Sequence, residues 1–600
     1  MRQPDADHAE QTDAHQLDRL AAVLDGTTEP VAVVVVTGAG VALAGERGSD
    51  VVQGPDPLRL LGELERRWHP RWATWDSGVA TVLVSEGWRL DRCWDAAAVH
   101  RLLFGGWRTD PGRCWAAAHG LDVGAIPGTG QLDLLGPPSD DGGDPERAQQ
   151  SDGHLRPEWV AGGWQRNPAR WLEWARTLLE LTRLQHRAFA GMSRAIGPRS
   201  VEHAVATARS ESATELLCAE LGADGVPFDR DVAESIVAGF AGPRAVDAEH
   251  AASIRAERDR QVLELLPDRG VDLRSPGQVK AMLARIGIEV RDTRSWRLEV
   301  FADAHPAVPA LLRWRKAERF ATTYGYEWLD RQVGPDGRLR GEWTGCDGGA
   351  GRMTASAGLH SLPAELRPAV CADPGWRLVR ADLGQIEPRI LAAVSGDLGL
   401  TQATAADDLY APVAQRLGVD RPTAKVAVLA AMYGQTSGAA GEALKGMESA
   451  YPVAMGYLRA AHESGRAGQD LRTAGGRLVR MWPTPSGLDP DAERAATASR
   501  GRFARNAVVQ GAAAEFFKAW AATVRLGLRA DGPAAGDPEA PTIVLCLHDE
   551  LLLHAPAESA DAVAELLRRC LTETARRWTG GAPVRFVADV SVVNRWSEAK

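Results

Sequence analysis

The chain has 600 residues, 44% of them hydrophobic and 25% charged, with a net charge of −10. That length exceeds a single hydrophobic core, so several domains are expected, and the composition is that of a globular chain rather than a disordered or fibrous one. Seven scattered cysteines with no CxxC pair exclude a disulfide scaffold, no apolar run reaches membrane-spanning length, and any affinity for nucleic acid must come from a local basic track. The polar start MRQPDADHAEQTDAHQ is no signal sequence, so a soluble cytoplasmic protein is expected.

In chain order, Val31–Val36 (VAVVVV) reads as a buried strand and Gly128–Arg156 as a partly disordered loop rich in Gly, Pro and Asp. Trp171–Ile196 and Ser200–Leu221 read as helices, and helical sequence continues to about residue 325. A mixed α+β region follows, interrupted by a helical block over 406–500, and Asp531–Ala540 (DGPAAGDPEA) is a short flexible insertion.

Two apolar runs end in aspartate. Trp376–Ala381 leads into Asp382, within RADLGQIEPRI (Arg380–Ile390), and Ile543–Leu547 leads into Asp549, within LCLHDELLLH (Leu545–His554). A buried strand has no structural use for a carboxylate at its tip, and burying one unpaired is costly. Two such tips from distant parts of the chain suit a phosphoryl-transfer site in which acidic oxygens hold two divalent cations. Aspartate at a strand end is also a common turn former, so the pair alone leaves both readings open.

Residues 420–434 (DRPTAKVAVLAAMYG) carry explicit helix start and stop signals: Asp420 as N-cap, Pro422 in the first turn and Gly434 after the last turn. Arg421, Lys425, Leu429 and Tyr433 recur every fourth residue and form one slowly drifting stripe. A face with two cations at one end and an aromatic at the other suits a triphosphate and a base; a solvated basic edge beside a core face is the alternative.

These segments resemble the motifs of family A DNA polymerases. Asp382-Leu-Gly-Gln385-Ile-Glu387-Pro-Arg389 is similar to the family's DYSQIELR, Arg421-x3-Lys425-x7-Tyr433-Gly434 to its fingers helix, and His548-Asp549-Glu550 to its third motif. Thr344–Pro363 resembles the TGRLSS…LQNIP segment, one residue short, and Arg502-x3-Asn506-x3-Gln510-Gly511 the RxxxNxxxQG helix. Leu311–Tyr324 resembles the helix leading from thumb to palm, and Arg274–Gln278 a small thumb motif. The likeness runs in the family's order over roughly residues 200–600.

The resemblance implies a multidomain α+β right hand: a palm with an antiparallel sheet, helical fingers and a helical thumb, preceded by an α/β, ribonuclease H-like exonuclease domain. The expected boundaries are 1–199 for the exonuclease-like domain, 200–325 for the thumb and connecting helices, 326–405 for the first part of the palm, 406–500 for the fingers and 501–600 for the rest of the palm. The implied activity is DNA-directed DNA synthesis by a monomer acting on primer–template DNA and deoxynucleoside triphosphates, with two Mg²⁺ ions for which Mn²⁺ substitutes.

By the same resemblance, Asp382 and Asp549 would bind both ions and Glu550 would lie just outside them. Lys425 would meet the α/β-phosphates and Arg421 the γ-phosphate. Glu387 would close off the space of a ribose 2′-OH, and Tyr433 would stack near the templating base. Arg352, Gln385, Asn506 and Gln510 would contact DNA in the minor groove, where acceptor positions are alike for every correct pair, Arg502 would also bind DNA, and His548 would touch the primer terminus. Three positions depart from the family: Leu429 replaces an aromatic, Pro388 a leucine, and Tyr410 a phosphate-binding histidine whose hydrogen bond its hydroxyl would donate instead.

Family members often carry a proofreading site at the N-terminus, built on a DxE pair, a central Asp and a YxxxD helix. Here Val31–Val36 offers no acid, Asp76 is at most a remnant of the central Asp, and Trp171–Leu184 has no YxxxD, so a surviving fold with a lost site is expected. With so few residues before Val31, no 5′-nuclease domain is expected ahead of it. Two rival readings stay open: a polymerase with an active exonuclease whose acids lie elsewhere, and a catalytically silent DNA-binding relative.

Overall fold

The computed structural model describes residues 4–126, 143–192, 198–434, 439–530 and 539–599; most of the Gly128–Arg156 loop and of the Asp531–Ala540 insertion lies outside them. The chain divides into two compact units. The larger comprises residues 1–224, 342–354 and 375–592, the smaller 225–341, 355–374 and 593–600.

The larger unit begins with a five-stranded sheet of order β3-β2-β1-β4-β5, from β1 (Val31–Val36), β2 (Gly40–Gly45), β3 (Gly48–Gln53), β4 (Arg71–Thr74) and β5 (Arg92–Asp95). β1 runs antiparallel to β2 and parallel to β4. Its side chains alternate between two apolar layers, Ala32 and Val34 with Trp94, Trp115 and Trp174, and Val31 and Val33 with Leu20, Leu61 and Trp72. A strand covered on both faces must be apolar at every position, which accounts for the unbroken VAVVVV run. Helix α1 (Pro168–Gly191) packs on β1 and β2, and α2 (Pro198–Asp224) on β5.

A second sheet of order β7-β8-β6-β9 follows, from β6 (Trp376–Leu383), β7 (Thr542–Leu547), β8 (Glu550–Pro556) and β9 (Ala588–Val593). β6 and β7 both pair antiparallel with β8. Val379, Ala381, Leu551 and Leu553 share one apolar cluster with Phe516 and Trp520 of the long helix Pro490–Ala530 and Leu567 of the helix Ala560–Trp578. Beside these strands lie α3 (Ile386–Ser395) and α4 (Arg421–Tyr433); the long helix and the one after it complete the set as α5 and α6.

Helix α2 also packs against α5, and it brings buried acids with it. Glu220 accepts from Arg525 Nε at 2.8 Å and Nη2 at 2.6 Å and from Arg529 at 2.5 Å, while the two arginines also donate to the carbonyls of Asp91 (3.0 Å) and Leu90 (2.7 Å). Burial alone would raise the Glu220 carboxyl, but Arg525 and Arg529 outweigh it and hold it at about 2. Removing one partner from a buried pair of this kind strands the other and costs about 3–5 kcal/mol.

The smaller unit is mainly helical, with Val262, Val279, Leu283, Leu311 and Trp314 in its core. Arg274 is fixed there by Asp259 at 2.8 Å and Glu318 at 2.7 Å above the Trp314 ring, and Ser275 caps the helix Pro276–Arg285. Among the described residues no helix is long and apolar enough to cross a membrane.

Candidate active site

Asp382 lies opposite Glu550 on paired strands, and Leu547 pairs with Glu550, so His548 and Asp549 form a two-residue turn. His548 has φ of 46°, a left-handed backbone that is uncommon outside glycine and that clusters at functional sites. The Leu383 amide donates to the Asp549 carbonyl at 2.9 Å and ties this tip to β6. Burial, then the Asp382 charge and those of Glu550 and Glu387, push the Asp549 carboxyl up to about 6. Arg380, two residues before Asp382 on β6, donates to Asp382 Oδ2 at 2.6 Å and stands 3.0 Å from Glu550 Oε1.

The chain leaves β6 through Gly384 and Gln385, the latter with φ of 56°, and enters α3. Pro388 falls in the first turn of α3, where its missing N–H costs nothing. Arg389 is fully buried and donates to five carbonyls: Gly384 (3.0 Å), Thr404 (2.8 Å), Arg585 (2.6 Å), Ala406 (2.9 Å) and Asp407 (2.7 Å). It therefore fixes both the Gln385 turn and the segment leading to Asp408. Glu387 accepts from Arg352 at 3.2 Å and from the Tyr433 hydroxyl at 3.1 Å, so its carboxylate is held from two sides.

Helix α4 forms as its sequence signals require. Asp420 accepts from the Thr423 amide at 2.9 Å, and Gly434 ends the helix with φ of 68°, its N–H bonded to Ala430. Ala424, Ala427, Val428 and Ala431 are buried, whereas Arg421 and Lys425 are exposed and Leu429 half-buried. Arg421 is engaged by Asp408, Nε to Oδ2 at 2.6 Å, and Gln385 donates to the other oxygen of Asp408 at 2.7 Å. Lys425 has no ion pair among the described residues. Burial and the Glu387 charge push the Tyr410 hydroxyl up to about 12, so it remains a proton donor.

Helix α5 presents Arg502, Asn506 and Gln510 at spacing four, along one face. Arg502 is exposed, the Asn506 Oδ1 is buried with no protein partner among the described residues, and Gln510 Nε2 lies 3.5 Å from the Tyr433 hydroxyl. Deeper in α5, Lys518 donates to the carbonyls of Gly351 (2.8 Å) and Gly345 (3.2 Å) and pairs with Glu211 of α2 at 2.5 Å. Arg477 pairs with the same Glu211 at 2.6 Å. Gly351 has φ of 67°, and a Cβ there would meet the Arg477 guanidinium at 2.5 Å. This buried network sets the turn that delivers Arg352 to Glu387.

A cavity of about 290 Å³ results, and Arg352, Gln385, Glu387, Tyr410, Leu429, Gln510, His548 and Asp549 line it. Tyr433 joins them through Glu387, Arg421 through Asp408 and Gln385, and the Leu383 amide ties the strand end at Asp382 to Asp549. Burial and the Arg352 charge hold the His548 imidazole below its usual range. Sequence reasoning missed Arg380, Asp408 and the clamp made by Arg389. Arg380 had a signal, since residues two apart share a strand face; Asp408 lies 13 residues from Arg421 and had none. The carboxylates at the tip are hard oxygen donors carrying like charge, a set that fits Mg²⁺ or Mn²⁺ rather than a softer metal.

Residues 246–598 match the family model described as DNA polymerase family A. DNA polymerase I of Chloroflexus aurantiacus is 29% identical over 308 residues, 46% of this chain and 31% of that protein. The thermostable DNA polymerase I of Thermus thermophilus is 30% identical over 339 residues, 52% of this chain and 38% of that protein. The matched segments thus span about a third of these relatives' own length. A solved structure described as the POL domain of Pol1 from M. smegmatis in complex with DNA primer-template and dNTP is 21% identical, with a TM-score of 0.67 over 97% of this chain and 98% of that one, a likeness of fold. With more than half of its residues matched by the family model, and with that family's fold, the chain belongs to DNA polymerase family A.

Proposed function

We propose that the protein is a template-directed DNA polymerase that adds deoxynucleotides to a primer 3′ end by two-metal phosphoryl transfer, in replication or repair and without proofreading. The observation that carries this reading is the meeting of Asp382 and Asp549 at one strand tip beside a cavity that α4 and α5 also reach. The complex of the structural neighbour with DNA primer-template and dNTP supports the same partners here. We assign the palm to 326–405 and 501–600, the fingers to 406–500, the thumb to 200–325 and a degenerate exonuclease-like domain to 1–199, in a cytoplasmic monomer.

Asp382 and Asp549 would hold two Mg²⁺ ions, with Glu550 behind them; bound there, the ions would stabilise charge on the attacking and leaving oxygens. Lys425, exposed on α4, meets the α/β-phosphates as a compact charge and protonates the leaving pyrophosphate. Arg421 exchanges Asp408 for the γ-phosphate, and Tyr410 donates its hydroxyl beside it. His548 contacts the primer end, Arg502 binds DNA, and Arg352, Gln385, Asn506 and Gln510 test the minor groove for shape. Tyr433 faces the base, and Leu429 packs on the sugar with less surface than an aromatic.

Glu387, pinned by Arg352 and Tyr433, is the sugar gate. Glu387→Ala is expected to raise ribonucleotide incorporation by about 10–100-fold, read by gel analysis of extension with each nucleotide type. Unchanged selectivity places the gate elsewhere.

The sheet order β3-β2-β1-β4-β5 with helices on both faces supports an exonuclease-like fold, and β1 supplies no carboxylate. Asp76 is exposed and accepts from the Gly78 amide at 2.9 Å, a turn-former's role. Primer extension on matched and 3′-mismatched primers tests the whole reading: a matched end is extended, and a mismatched end stalls without shortening. No extension refutes the polymerase, and shortening that disappears in Asp76→Ala refutes the lost proofreading.

A further inference from the structure

Resting on the reading that Asp382 and Asp549 hold divalent ions, we propose that Arg380 is a built-in counter-cation that occupies Asp382 and Glu550 until an ion displaces it from Asp382, and so sets how much metal the enzyme needs.

Arg380 and Asp382 are two residues apart on β6 and share one face of the sheet. The guanidinium reaches three acids from three strands. Nη2 lies 2.6 Å from Asp382 Oδ2, Nε lies 3.0 Å from Glu550 Oε1 on β8, and Nη1 lies 3.7 Å from Asp589 on β9. Arg380 and Glu550 are 8% and 7% exposed, so solvent screens this pair little, whereas Asp589 is largely in water.

An arginine does not give up its proton in a protein, so the positive charge beside Asp382 is permanent. A divalent cation arriving at Asp382 meets that charge and must replace a short charge-assisted hydrogen bond. The guanidinium need not leave the site, because Glu550 and Asp589 remain as its berth when Asp382 is released. Glu550 thereby gains a role other than metal binding: it receives the arginine. In the absence of metal, the same charge offsets the repulsion between Asp382 and Glu550, which it contacts on both sides. Arg380 acts on the reaction through Asp382 and is a positioning residue.

The test is a titration of the full chain with Mn²⁺, followed by the resonance of the free ion, in the wild type, Arg380→Met and Arg380→Lys. Thermal melting first establishes that each variant is folded, and Arg380→Gln replaces the methionine variant if that one fails. Removing the charge is expected to tighten Mn²⁺ binding by about tenfold, and lysine, which keeps the charge but cannot bridge both carboxylates, to give an affinity within about threefold of wild type. The Mn²⁺ concentration for half-maximal primer extension moves in parallel. Unchanged or weaker Mn²⁺ binding in the neutral variant overturns the proposal. If instead the wild type binds no Mn²⁺, or Asp549→Ala binds it as the wild type does, the metal assignment itself has failed, whatever Arg380 does.

Discussion

Replacing Asp382 or Asp549 with alanine is expected to abolish primer extension while primer–template binding survives. Each change removes an oxygen donor from a site with few protein ligands to lose, and the turnover rate is expected to fall by roughly 10⁴-fold or more. The fold of Asp549→Ala should not suffer. Asp549 is held above its ordinary range by burial and by neighbouring acids, so its removal relieves repulsion, and the metal-free melting temperature stays level or rises. A dead enzyme of undiminished stability is the signature of a carboxylate kept for chemistry. The pH dependence has a definite sign: below about pH 6 Asp549 takes up a proton and coordinates poorly, so the metal needed for half-maximal extension rises as the pH falls. Without metal, the folded chain holds that proton more tightly than the unfolded one, and its contribution to stability declines as the pH rises from about 4 through about 6. Near-normal turnover in either alanine variant ends the two-metal assignment.

Lys425→Ala and Arg421→Ala are expected to impair nucleotide use far more than DNA affinity, by about 10²–10³ in kcat/KM for the nucleotide. The two should divide the loss differently. Lys425 has no ion pair among the described residues, so its removal costs transition-state stabilisation and falls mainly on kcat. Arg421 must leave Asp408 to reach a phosphate, so part of its contribution is spent in the exchange, and its loss falls more on KM. Steady-state kinetics with one nucleotide at saturating primer–template separates the two effects. Equal loss of DNA binding with unchanged nucleotide constants places the α4 stripe against DNA instead.

Much of this site was legible in the chain because its signals are local. Asp420, Pro422 and Gly434 mark the ends of α4 within one short segment, and the strand tips at Asp382 and Asp549 follow from apolar runs that stop at an acid. The buried β1 strand was legible for the same reason. What escaped was long-range pairing. Nothing near Arg421 announces Asp408, and nothing near Arg389 announces that five carbonyls, one of them 196 residues away at Arg585, converge on it. Glu211 meets Lys518 and Arg477 across hundreds of residues, and helical periodicity gives no hint of a partner at such a distance. Arg380 could have been found by strand periodicity, but an arginine before an acidic tip reads as a solvated edge until its burial is known.

The buried acids of α2 bear on how this protein can be taken apart. Glu220 and Glu211 pair with four largely buried cations of the larger unit: Arg525 and Arg529 with the first, Lys518 and Arg477 with the second. A truncation that removes the first 224 residues would take Glu220 and Glu211 from these cations and bare the apolar surface that α2 covers. A chain beginning at residue 225 is therefore expected to melt well below the full-length protein, which thermal unfolding of the two would show.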